Sequence, residues 1–233
     1  MGVYIDEKLT WKEHIKTLTN KVSRITGSLY SISKVIPSSL KTSVYNALVN
    51  SHLSYAISVW GADPSGNKLK NLLTVQKRCL RTLYCIKKLS KYVKGHTKRI
   101  FNDNNILVIN NLYNYFTILE IQKLKLNRNP TYLCQLLKLD DRKRMYLPNL
   151  KLTHYQLNFL YQGPKLWNLI ASSYPNIHRL PFIKSYKRKL KHILLNAQSY
   201  GNADEWIIYN INLEKYFVAV NNDPYSKPII VDS

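Results

Sequence analysis

The chain has 233 residues, of which 45% are hydrophobic, and 35 Lys and Arg stand against 13 Asp and Glu, a formal charge of +22. That length and apolar content bury the core of one large domain or two small ones, and so large an excess of one charge repels itself unless a polyanion shares the surface. Cys79, Cys85 and Cys134, odd in number and irregular in spacing, exclude a disulfide framework. No basic leader with an apolar run and no membrane-length apolar stretch occurs, so an intracellular chain, neither secreted nor transmembrane, is expected.

Residues 1–6 read as a short extended segment. A helix is predicted to follow, with Thr10 as N-cap and Glu13 completing a capping box. Trp11, Ile15, Leu18, Val22, Ile25, Leu29 and Ile32 then form one apolar stripe, with Lys12, Lys16, Lys21 and Arg24 off it. Pro37 ends this helix and Ser38 or Ser39 caps the next, whose stripe of Leu40, Val44, Leu48, Tyr55 and Val59 runs on to Trp60. After the turn at residues 61–66 a third helix is predicted from about Lys68 to Ile86. Its inner side carries Leu69, Leu72, Leu73, Gln76, Cys79, Leu80 and Leu83. Cys79 and Cys85 both read as small buried hydrophobes in that helix.

Three amphipathic helices on short connections make a bundle over residues 7–90. Residues 91–105 read as a basic, polar linker, and 106–200 as a second, smaller helical region. Within that region Leu112, Tyr115, Phe116 and Leu119 begin a helix that runs to about Leu126. A short helix is expected from near Pro130 to Leu139, and an exposed loop over 140–151. Tyr161 to Asn168 reads as a turn into a helix, with another helix over 179–196. Residues 201–233 are read as a partly disordered tail. The fold class is therefore mostly α: a helical bundle, a smaller helical region and an extended N-terminal segment.

The charge is concentrated. Residues 64–102 hold eleven cations and no acid: Lys68, Lys70, Lys77, Arg78, Arg81, Lys87, Lys88, Lys91, Lys94, Lys98 and Arg99. Residues 142–203 also lack Asp and Glu, and Lys184, Lys187, Arg188, Lys189 and Lys191 cluster there. Such faces bind phosphate backbones by counterion release, without base contacts. The candidate nucleic-acid-binding residues are Lys68, Lys70, Lys77, Arg78, Arg81, Lys87, Lys88, Lys91, Lys184, Lys187, Arg188 and Lys191. Tyr84 and Tyr92 could stack on bases or pack in the core. The partner expected is RNA, DNA or an RNA–DNA duplex; no small-molecule substrate and no membrane partner are expected.

Catalytic patterns are missing. The adjacent pair Asp140-Asp141 is followed by Arg142-Lys143-Arg144 and reads as a solvated loop pair. No phosphate-cradling glycine loop or nucleophile elbow occurs, and His14, His52, His96, His154, His178 and His192 are scattered. No catalytic residue, metal ligand or cofactor is expected in this chain.

Three strings carry a family likeness. Gly2-Val3-Tyr4-Ile5-Asp6 with Leu9, Trp11, His14 and Ile15 is the first. Leu48 through His52, Tyr55 and Trp60-Gly61, followed by Gln76-Lys77-Arg78, is the second; Tyr161-Gln162-Gly163-Pro164-Lys165-Leu166-Trp167-Asn168 is the third. Together they resemble the part of the reverse transcriptases of non-LTR retrotransposons, jockey-like group, that follows the catalytic palm. The likeness covers about residues 1–195. It implies that Gly2, Val3, Tyr4, Ile5 and Asp6 are the remnant of the palm's primer grip, that 7–90 is the thumb holding a template–primer duplex, and that 106–200 is a post-thumb region. Such enzymes are RNA-directed DNA polymerases that use Mg2+, and their catalytic aspartates lie upstream of the segment matched here. The resemblance thus implies a fragment that binds template–primer nucleic acid without catalysing its extension. The alternative is a non-catalytic helical protein-interaction module derived from such an element.

Overall fold

The computed structural model describes residues 2–63, 67–86, 96–127, 137, 144–150, 155–174, 176–180 and 182–197. The architecture is mostly α, with no β-strand among the described residues. The helices are α1 (Lys12–Ile32), α2 (Ser38–Tyr45), α3 (Ser51–Ser54), α4 (Ile57–Trp60), α5 (Lys70–Leu83), α6 (His96–Asp103), α7 (Ile109–Asn127), α8 (Phe159–Ser173) and α9 (Ile183–Asn196). A π-helical turn, Asn46–Asn50, joins α2 to α3.

The entry into α1 differs from the capping box. The N-cap position is Trp11, left-handed at φ 61° and without a side-chain cap. Thr10 instead gives its backbone N–H (2.5 Å) and hydroxyl (2.6 Å) to the Asp6 carboxylate. The Thr10 hydroxyl and the N–H groups of Thr10, Trp11 and Lys12 hold that carboxyl below its usual range. Asp6, four residues upstream of the expected cap, thus organises the start of the helix. Ile15, Leu18, Val22 and Leu29 of the expected stripe are buried, whereas Ile32 at the end is exposed.

The second expected helix is broken and rotated. Tyr55 is extended and Ala56 is left-handed at φ 50°, which separates α3 from α4. Its buried face is Tyr45, Val49, Leu53, Ile57 and Trp60; the expected inner residues Leu40, Leu48, Tyr55 and Val59 are exposed. Both faces are apolar, so hydrophobic spacing alone could not choose between them, and the π-helical turn shifts the phase midway.

The inner face of α5 is as the spacing predicts: Leu69, Leu72, Leu73, Gln76, Cys79, Leu80 and Leu83 are all buried. Cys85, expected beside them, lies past the helix end, exposed and left-handed at φ 55°. α1 and α5 form the most extensive helix pair. Cys79 bonds to Thr26, and the Cys85 thiol donates to the Ser33 carbonyl at 3.5 Å, so the two helices run parallel.

Where a polar linker is expected, α6 forms over residues 96–103 and seats Ile100 and Phe101 in the core. Two adjacent apolar residues are enough to anchor two turns against α5. α7 is central. It packs on α3, α4, α5, α8 and α9, and it buries Ile109, Leu112, Ile118, Leu119 and Ile121 together with Asn110, Asn111, Asn114, Thr117 and Gln122. One buried cluster therefore continues from Ile15 to Leu194 across the expected linker.

The turn expected within residues 161–168 is instead the middle of α8, which Asn158 caps by accepting the Leu160 N–H. A Cβ on Gly163 would stand 2.7 Å from Cδ1 of Ile121, so the glycine lets α8 approach α7 rather than bending the chain. Trp167 donates its indole N–H to Gln122 at 3.3 Å, and Asn168 exchanges two 2.8 Å bonds with the backbone of Met145. The expected helix from near Pro130 to Leu139, the pair Asp140-Asp141, Cys134 and the 201–233 tail lie outside the described residues.

Candidate nucleic-acid interface

The basic residues of α5 divide among different surroundings. Lys70, Lys77 and Arg81, at spacings of seven and four, fall on one flank of the helix. Lys70 is exposed, and Lys77 and Arg81 are half-buried. Arg78 stands on the exposed crest with Asn71 and Thr74. α6 packs beside α5 and carries exposed Lys98 and Arg99.

Lys68 does not belong to this flank. Its ammonium donates to the carbonyls of Trp60 at 2.7 Å and Ala62 at 3.0 Å and ties the turn before α5 to the end of α4. Burial pushes its pKa down to about 8, against the pull of the Asp63 and Asp6 carboxylates. Two of its three N–H groups are committed to the fold, so its role is first structural.

α9 presents the other cluster. Tyr186, Leu190, Ile193 and Leu194 face the core. Lys184, Lys187, Arg188 and Lys191, at positions i, i+3, i+4 and i+7, share the opposite side. Lys184, Lys187 and Arg188 are exposed; Lys191 is half-buried, and burial lowers its ammonium's pKa. Between residues 142 and 203 the sequence places no Asp or Glu beside these cations. Ion pairs elsewhere, Glu13–Lys16 at 3.9 Å and Glu120–Lys123 at 2.6 Å, join neighbours on one helix.

The two clusters are anchored at one turn of α7. The Gln76 carbonyl oxygen accepts the Ile109 N–H at 3.0 Å, and Asn111 donates to the Leu194 carbonyl at 2.7 Å. Lys87, Lys88 and Lys91, with Tyr92, lie outside the described residues.

Tyr84 is held rather than free to stack. Its hydroxyl lies 2.9 Å from Thr42 Oγ1 and donates to Asn104 at 2.5 Å, while the Lys41 ammonium sits 5.6 Å from its ring centre. In the N-terminal segment Gly2, Tyr4 and Ile5 are exposed, and Val3 and Asp6 are half-buried. The Tyr4 N–H donates to Nδ1 of His14 at 3.4 Å, and the His14 ring meets that of Trp60 edge-on with centres 5.1 Å apart. Burial, with Lys68 nearby, holds His14 below the ordinary imidazole range.

Among the described residues no three of His, Cys, Asp and Glu come together to hold a metal ion. Among the described residues, too, no helix is long and apolar enough to cross a membrane. Comparisons with family models, curated proteins and solved structures find no match to this chain.

Proposed function

We propose that this protein binds template–primer nucleic acid through the phosphate backbone, as the thumb and post-thumb part of a non-LTR retrotransposon reverse transcriptase, and that it performs no catalysis itself. The observation that carries the binding is the outer face of α9, where Lys184, Lys187, Arg188 and Lys191 repeat at helical spacing within an acid-free stretch. Like charges at i, i+4 cost each other stability, and a polyanion removes that cost. The Lys70–Lys77–Arg81 flank adds a second row. Contacts of this kind read charge rather than bases, so binding is independent of sequence.

The ancestry is supported by the positions of the strings that carry the resemblance. Trp60, Gln76 and Trp167 are fully buried, and Gly61 and Gly163 leave no room for a Cβ. These are sites where packing restricts the residue, as expected for a shared scaffold. The test is fluorescence anisotropy of the purified chain with RNA–DNA, DNA and RNA duplexes of unrelated sequence. Affinities within a few-fold of one another are expected. A strong preference for one sequence contradicts backbone recognition.

One observation favours a second reading, a protein-interaction module. Residues 38–61 contain a single ionisable Lys, Arg, Asp or Glu, Lys41, and it is buried, while Leu40, Leu48, Tyr55 and Val59 are exposed. Charge-depleted apolar surface is typical of the centre of a protein interface. Under this reading, Ala substitutions at Lys70, Lys77 and Arg81 leave partner binding intact, and Leu48→Asp with Val59→Asp abolishes it.

A further inference from the structure

Between the first turns of α1 and the start of α5 lies a cleft of about 540 Å3, with Lys12, Lys16, Lys68, Asn20 and Asn71 around it and Ile15 among its lining. Thr10 and Thr19 also line it, but their hydroxyl protons go to Asp6 and to the Ile15 carbonyl. The donors left to the cleft are therefore the ammonium groups of Lys12 and Lys16, the one uncommitted N–H of Lys68, and the amides of Asn20 and Asn71. No carboxylate belongs to the lining. The acids nearest Lys68 are already engaged: Asp6 by Thr10, and Asp63 by the Leu69 N–H at 2.8 Å. Glu13 reaches Lys16 at 3.9 Å, but both side chains are about 70% exposed, and such a pair yields readily to a phosphate.

We propose that this cleft seats a backbone phosphate of a bound nucleic-acid strand, gripped by Lys12 and Lys16 and oriented by Asn20 and Asn71. The proposal rests on the nucleic-acid reading above and deepens it. The crest of α5, with Asn71, Thr74 and Arg78, separates the cleft from the Lys70–Lys77–Arg81 flank. A helix about 10 Å across corresponds to roughly three nucleotide steps of about 3.4 Å along one strand. One strand crossing α5 thus meets the flank on one side and the cleft on the other. Lys68, fixed by two carbonyls, forms a rigid wall that the flexible Lys12 and Lys16 close against.

The test is lysine acylation of the full chain, read by mass spectrometry, with and without a saturating RNA–DNA duplex. Lys12 and Lys16 are expected to lose reactivity several-fold in the complex. In parallel, Lys12→Ala with Lys16→Ala lowers the log–log salt slope of binding by about 0.9, the loss of one phosphate contact. Unchanged circular dichroism of that variant certifies its fold. A duplex that binds while Lys12 and Lys16 keep their free reactivity, and while the variant keeps the slope, overturns the cleft and leaves the nucleic-acid reading standing. If no duplex binds at low salt, the nucleic-acid reading itself fails. A pyrophosphate titration then decides the cleft: binding lost in the variant upholds it as an anion site, and no binding to the unsubstituted chain overturns it.

Discussion

The side-chain amide of Gln76 donates to the Tyr45 hydroxyl at 2.9 Å, and both residues are completely buried. Gln76 also donates to the Leu107 carbonyl and accepts the Ile109 N–H, each at 3.0 Å. One side chain thereby joins α2, α5 and the start of α7, immediately before the basic pair Lys77-Arg78. Burial pushes the Tyr45 phenol's pKa well above its ordinary range, against the hydrogen bond from Gln76, which lowers it. Gln76→Leu leaves three buried polar groups without partners and is expected to destabilise the chain by about 3 kcal/mol or more, since each such group costs about 1–3 kcal/mol. Urea unfolding measures it; a loss below about 1 kcal/mol contradicts the assigned role.

Gly163 makes a prediction opposite in sign to helix propensity. On propensity alone, Gly163→Ala in mid-helix gains about 1 kcal/mol. Here the new methyl lies 2.7 Å from Cδ1 and 2.8 Å from Cγ1 of Ile121, which is itself fully buried. A net loss of about 1–3 kcal/mol is expected, partly recovered by Ile121→Val in the same chain. Thermal unfolding of the two single variants and the double variant measures the coupling. A stabilised single variant contradicts the close approach of α8 to α7.

Lys68 predicts a pH dependence. Its folded pKa, about 8, is below the ordinary 10.5, so the unfolded chain binds its proton more tightly. The contribution of Lys68 to stability is then fullest above pH 10.5, falls as the pH drops from 10.5 to 8, and is constant below. Compared with Lys68→Met, the native chain loses relative stability over that window as the pH is lowered. A difference that does not vary between pH 8 and 10.5 contradicts the burial of the ammonium.

Much of the fold is legible in the sequence because some elements have only one apolar face. α5 is such a helix, and its buried set follows directly from spacing. α2 to α4 are not: Tyr45, Val49 and Leu53 compete with Leu40, Val44 and Leu48, and the choice is made by packing against α5 and α7. The start of α1 is misread because Thr10 and Glu13 satisfy a local motif while the carboxylate of Asp6 takes the Thr10 N–H and hydroxyl that the motif would use. Gly163-Pro164 carries a turn signature, but the contact of Gly163 with Ile121 is tertiary and leaves no local trace.

The candidate interface is legible only in part. The helical spacing of Lys184, Lys187, Arg188 and Lys191 is by itself enough to place them on a common face. The commitment of Lys68 to two backbone carbonyls does not follow from spacing, because it depends on where α4 ends. Lys12 and Lys16 are visible as cations four residues apart, off the apolar stripe. What singles them out is the parallel pairing of α1 with α5, a tertiary fact.

The central claim is that the outward cations of α5 and α9 grip a phosphate backbone. The most direct test is the affinity of the chain for a labelled RNA–DNA duplex across a salt series, beside two variants. One carries Ala at Lys77, Arg78 and Arg81, the other at Lys184, Lys187, Arg188 and Lys191. Engagement of roughly five phosphates predicts a log–log slope near about −4.5 for the native chain, and a shallower slope with weaker binding for each variant. A slope near zero, or one that neither variant changes, contradicts the claim.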